Sequence, residues 1–231
     1  MPAVNEGIVR EYFEALGFLV LQPHKYVVQA RAKRPEEEID FVVFNPLVSG
    51  QVLPESTLWT SQELRRITRA VVSVRGWHTD RFSPAMLEDA PEIFRFADPA
   101  TVSRAEEMLG GGPVARILCV PALPVSMEAR ARALAMFRER GVDGVLPFRT
   151  LLIELIARID VNSNYEKSDL LQALRILKNY DLLKDAQLEM FSGLRAGSAL
   201  RRLRRSRPKP KIDLSSEITE KAAKTPGGSP E

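Results

Sequence analysis

Glu38-Ile39-Asp40-Phe41-Val42-Val43-Phe44 is the stretch on which the rest of this chain turns. Its β-branched and aromatic residues predict a strand over 38–45. Alternation puts Glu38, Asp40, Val42 and Phe44 on one face and Ile39, Phe41 and Val43 on the other. Beyond Asp40 both faces are apolar, which is the pattern of a central strand covered on both sides. The two acids at its start share a face.

Working outward, residues 4–16 predict an amphipathic helix, with Ile8, Val9, Tyr12, Phe13 and Leu16 at helical spacing. Asn5 is its candidate cap, Glu6 lies in its first turn and Gly17 is its stop. Residues 18–21 and 26–29 predict strands, and 31–37 a charged turn. After the organising strand, Thr60-x-x-Glu63 has the form of a capping box. Residues 70–75 predict the next strand, which Gly76-Trp77-His78 ends. Ser83-Pro84 and Asp98-Pro99 each pair a cap with a proline that opens a helix. Residues 116–120 and 144–146 predict short strands, and 126–140 and 147–159 predict helices. This alternation argues for an α/β layer structure over residues 1–160. A helix over 168–183, with Leu170, Leu171, Leu174 and Leu177 as its stripe, and a second over 185–203 suggest a helical appendage at 161–205. Residues 206–231 read as a disordered basic tail.

Composition narrows the function classes. With 231 residues and 45% hydrophobic content the chain has enough apolar mass for a packed core. No stretch approaches the roughly 20 apolar residues of a membrane helix. The first ten residues lack a basic segment followed by an apolar one, so no secretory signal is expected. The single Cys119 excludes an internal disulfide and leaves a zinc cluster without partners, which fits a reducing, cytoplasmic setting. The net charge of +3 is unevenly spread. Arg195, Arg201, Arg202, Arg204, Arg205, Arg207, Lys209 and Lys211 follow one another with no intervening acid. Such a run neutralises phosphates or serves as a solvated tail.

An acid on the first helix, acids opening the second core strand and a polar pair on the third come in an order that resembles the PD-(D/E)XK nuclease fold. That core is shared by restriction endonucleases and Holliday-junction resolvases. The resemblance implies a restriction endonuclease-like mixed sheet flanked by helices. It also implies a phosphodiesterase whose carboxylates hold Mg²⁺. Glu6 matches the helix acid and Asp40 the strand aspartate, so both are the implied metal ligands. The third strand departs from the pattern. Ser73 stands where the acid belongs, and Arg75 replaces the lysine, keeping its charge but not its capacity to deprotonate. Glu38, on the face of Asp40, is the candidate replacement acid. Asp40, Arg75 and Glu38 are thus the candidate catalytic set. The residues themselves leave other roles open: Glu6 as a helix-dipole acid, and Asp40 with Arg75 as a structural ion pair.

The exit of the third strand combines Trp77 with Arg75 and Arg81. Trp77 suits base stacking and Arg81 suits phosphate, and Trp77 equally suits a plug at the end of the core. The expectation is a nucleic-acid-binding protein with a nuclease-like core, DNA-directed, with its Mg²⁺-dependent endonuclease chemistry degenerate or retained. Arg201, Arg202, Arg204 and Arg205 would join Trp77 and Arg81 in holding the nucleic acid. The alternative is a non-enzymatic interaction or assembly module, forming a homodimer or binding a protein partner through its C-terminal helices.

Overall fold

A computed structural model describes residues 2–23 and 39–183. Glu38, the strand expected at 26–29, the helix expected at 185–203 and the basic run from Arg195 to Lys211 lie outside these residues.

Five strands form one mixed sheet in the order β1 (Leu19–Leu21), β2 (Phe41–Phe44), β3 (Arg69–Val74), β4 (Ala115–Val120), β5 (Gly144–Pro147). The first three run as an antiparallel meander. β4 and β5 are then added parallel to β3. Parallel neighbours need crossovers. The first is built from α3 (Pro84–Asp89), a 3₁₀ segment (Pro91–Ala97) and α4 (Pro99–Met108), and the second from α5 (Met127–Glu139). Ser83 and Ser126 cap α3 and α5 through their hydroxyls. Thr60 and Glu63 close the capping box of the one-turn α2 (Ser61–Leu64).

Helices cover both faces. On one, α1 (Pro2–Ala15), α6 (Phe148–Arg158) and α7 (Asp169–Asn179) supply Val9, Tyr12, Phe13, Leu151, Leu155 and Leu174. These pack on Phe41, Val43, Val72, Ile117 and Cys119. On the other, Leu87, Ile93, Phe96, Ala133 and Phe137 pack on Val42, Val71, Leu118 and Val145. β2 is therefore covered on both sides, as its apolar pattern predicts. The described part of the predicted appendage, α7, shares the first core. Leu170 and Leu171 pack against that core, and Ser168 Oγ bonds Glu11 of α1 at 2.5 Å.

The organising strand is shorter than its pattern. Pairing starts at Phe41, with Asp40 in a bend, and Ile39 joins the core of Val42 rather than that of Phe41 and Val43. The bend breaks the two-residue period, so the faces expected before Phe41 are corrected. The start of α1 is corrected too. The helix begins at Pro2, so Asn5 lies inside it and its buried side chain serves another purpose.

The far edge of the sheet is closed by residues 57–59. Val145 donates to Thr57 and receives Trp59 on its carbonyl, so β5 is not an open edge. Trp59 lies fully buried over Gly144, whose missing Cβ makes room for the ring.

Candidate functional site

β2 and β3 bring Asp40 against Ser73 and Val74. The Asp40 amide donates to Val72 at 3.1 Å. One position further on, the Asp40 carboxylate takes over as acceptor. Its Oδ2 receives the Val74 amide at 2.6 Å and the Ser73 hydroxyl at 3.2 Å. A side-chain oxygen thus extends the β2–β3 ladder past the end of the strand. Burial pushes the Asp40 carboxyl above its ordinary range, and the neighbouring Glu6 adds to the effect. The Val74 amide, the Arg75 charge and the Ser73 hydroxyl pull the other way.

Ser73 is fully buried, and Arg75 donates through its guanidinium to the Ile93 carbonyl at 3.4 Å. Its main-chain amide continues the β3–β4 ladder to Cys119. Cys119 is itself buried. Its thiol is held far above the ordinary range by burial and by the charge of Asp40, which suits a core residue and not a nucleophile.

Glu6 comes from α1, on the face toward which Phe41 points. Gln22 donates to its Oε2 at 2.7 Å while accepting from Arg10 at 2.7 Å. The amide of Gln22 thus relays the Arg10 charge to Glu6. Sequence reasoning missed Gln22, because nothing in its spacing ties it to a helix sixteen residues away.

The β3 exit carries a second constellation. Gly76 admits the buried Asn5 side chain, which bonds His78 Nε2 at 2.7 Å. The His78 ring stands edge-on to Phe148 at 4.9 Å, so this loop is tied to both α1 and α6. Trp77 remains 42% exposed and stacks on the buried Phe82, ring centroids 6.0 Å apart and planes within 18°. The aromatic that plugs the core here is Phe82. Trp77 offers an exposed ring next in sequence to the loop that leads to Arg81.

A divalent cation needs several hard oxygens aimed at one point. Among the described residues, no group of three His, Cys, Asp or Glu side chains is placed to hold a metal ion. Asp40 Oδ2 already accepts two hydrogen bonds, Glu6 is engaged by Gln22, and the buried hydroxyl of Ser73 is directed at Asp40. Arg75 adds positive charge beside Asp40. Glu38, the third candidate acid, lies outside the described residues.

No family model, curated protein or solved structure matches this chain.

Proposed function

We propose that this chain is a DNA-binding protein whose nuclease-like core has given up metal-dependent cleavage. The observation that carries this reading is the pair of changes at the β3 exit. Asp40 is committed to the Ser73 hydroxyl and the Val74 amide, where a nuclease of this type would direct its acids at a metal. Immediately beyond, Trp77 is a half-exposed aromatic flanked in sequence by Arg75 and Arg81. An exposed aromatic ring with arginines close by in sequence suits single-strand recognition. Mixed-sheet order and the placement of Glu6 on the covering helix also support the nuclease-like core. The basic run that includes Arg201, Arg202, Arg204 and Arg205 supplies further phosphate-neutralising charge.

The test is binding of labelled single-stranded, duplex and branched DNA at two salt concentrations, with cleavage assayed in Mg²⁺ or Mn²⁺. Salt-sensitive binding without cleavage, weakened by Trp77→Ala, is the expected result. Loss of one stacked base costs roughly 1–3 kcal/mol. Metal-dependent cleavage abolished in Asp40→Ala would replace this reading with an active nuclease. Absence of DNA binding would overturn it altogether.

A further inference from the structure

A second feature lies where the parallel strands β4 and β5 end. Leu58, Pro121, Ala122, Leu123, Pro147 and Thr150 line a cavity of about 440 Å³, and its remaining lining residues are Arg81, Arg130 and Arg149. Three arginines therefore line one cavity, with no acid among its described lining residues.

Each arginine comes from a different element. Arg81 is in the loop after β3, held to the β4 exit by the bond from the Phe82 amide to Ala122. Arg130 is in the first turns of α5, and its Nε is anchored on the Pro124 carbonyl at 3.1 Å. Arg149 is the second residue of α6. That helix opens with no side-chain cap and no acid in its first turn, so its positive end adds to the arginines. Crevices at the carboxyl ends of parallel strands are favoured ligand positions in open α/β sheets. The planar guanidinium fork matches phosphate oxygens.

We infer that this cavity binds a phosphate group through Arg81, Arg130 and Arg149. The inference goes beyond the DNA reading, because a free nucleotide and a strand end present the same phosphate monoester. Arg81 is common to both readings, while Arg130 and Arg149 belong to the pocket alone.

The test uses the full chain and its Arg130→Gln and Arg149→Gln variants. Arg104→Gln, on the exposed face of α4, controls for loss of one positive charge. Inorganic phosphate and adenosine monophosphate are titrated by calorimetry. Oligonucleotides with a 5′-phosphate or a 5′-hydroxyl are compared by anisotropy. Binding of either small probe, weakened about tenfold or more in each pocket variant and unchanged in Arg104→Gln, assigns the site to a free ligand. Preference for the 5′-phosphorylated strand, lost in the same variants, assigns it to a strand end. If no probe distinguishes the pocket variants from Arg104→Gln, the inference is overturned. Salt-sensitive binding of the 5′-hydroxyl strand tests the DNA reading separately. If that binding persists without any phosphate effect, only the pocket fails. If adenosine monophosphate binds and neither strand does, only the DNA reading fails.

Discussion

The carboxylate of Asp40 acts as a main-chain acceptor would, receiving the Val74 amide at 2.6 Å just past the end of the β2–β3 pairing. Burial raises its pKa above the ordinary carboxyl value, yet its oxygen is needed by two donors. Shape and charge at this position therefore have opposite effects on stability, and substitutions separate them.

Asp40→Asn keeps an acceptor oxygen and removes the charge. The folded-state pKa of Asp40 is raised above its ordinary value of 3.8, so the folded chain holds this proton more tightly than the unfolded chain. The contribution to stability is most favourable below that ordinary value. It is lost as pH rises through the raised one. Asp40→Asn is therefore expected to be more stable than the parent at pH 7, with the difference vanishing in acid. Asp40→Ala strands the Val74 amide and the Ser73 hydroxyl and is expected to lose about 1–3 kcal/mol. Urea unfolding of the three proteins across pH checks both. A less stable Asn variant at pH 7 would mean that the Arg75 charge outweighs burial.

Gly76→Ala tests the link between α1 and the β3 exit. A Cβ built on Gly76 meets Asn5 Nδ2 at 1.8 Å and Cγ at 2.8 Å. Asn5 is buried and bonded to His78, so it cannot swing aside without breaking that bond. The variant is expected to lose about 1–3 kcal/mol. Asn5→Ala should recover part of this loss when combined with it, and a double-mutant cycle reads the coupling directly.

Three glycines rank by what surrounds them. Gly144→Ala drives a methyl to within 2.2–2.6 Å of the Trp59 ring atoms. The ring is fully buried and its indole N–H is fixed on the Ser56 carbonyl at 2.7 Å. This variant should be the least stable of the three and should change the tryptophan emission. Gly76→Ala comes next. Gly7 lies within α1 with nothing inside 4 Å of an added Cβ, so Gly7→Ala should gain about 0.5–1 kcal/mol from helix propensity alone. Thermal unfolding monitored by circular dichroism establishes the order.

The α/β class was legible because apolar runs, capping boxes and proline-opened helices act locally. Thr60 with Glu63, and Ser83 with Pro84, are signals confined to four residues, and the chain obeys them. The face of Ile39 was not legible. It depends on a bend at Asp40 that exists because Val72 and Val74 on another strand bind that residue. The contacts of Asn5 with His78 and of Gln22 with Glu6 were hidden for the same reason: one polar side chain reaches a partner 73 positions away and the other a partner 16 positions away. In the sequence Arg130 is one of several arginines within α5. Its place beside Arg81 and Arg149 follows from the parallel addition of β4 and β5, which periodicity does not encode.

Leu174 decides how the leucine stripe of α7 is used. The side chain is 9% exposed and belongs to the core that holds Val9, Tyr12 and Leu155, while Ile176 and Leu177 on the same helix are exposed. If the stripe existed to dock a partner, Leu174→Ala would leave the isolated chain unaffected. Packing on α1 and α6 instead predicts a loss of about 2–5 kcal/mol from the vacated volume. Ile176→Ala, on the exposed side, should cost well under 1 kcal/mol. Chemical unfolding of both variants separates the two roles. Equal and negligible effects would return α7 to the status of a free docking helix, while a large loss at Leu174 alone makes it a structural layer of the same core that positions Glu6 and Asn5.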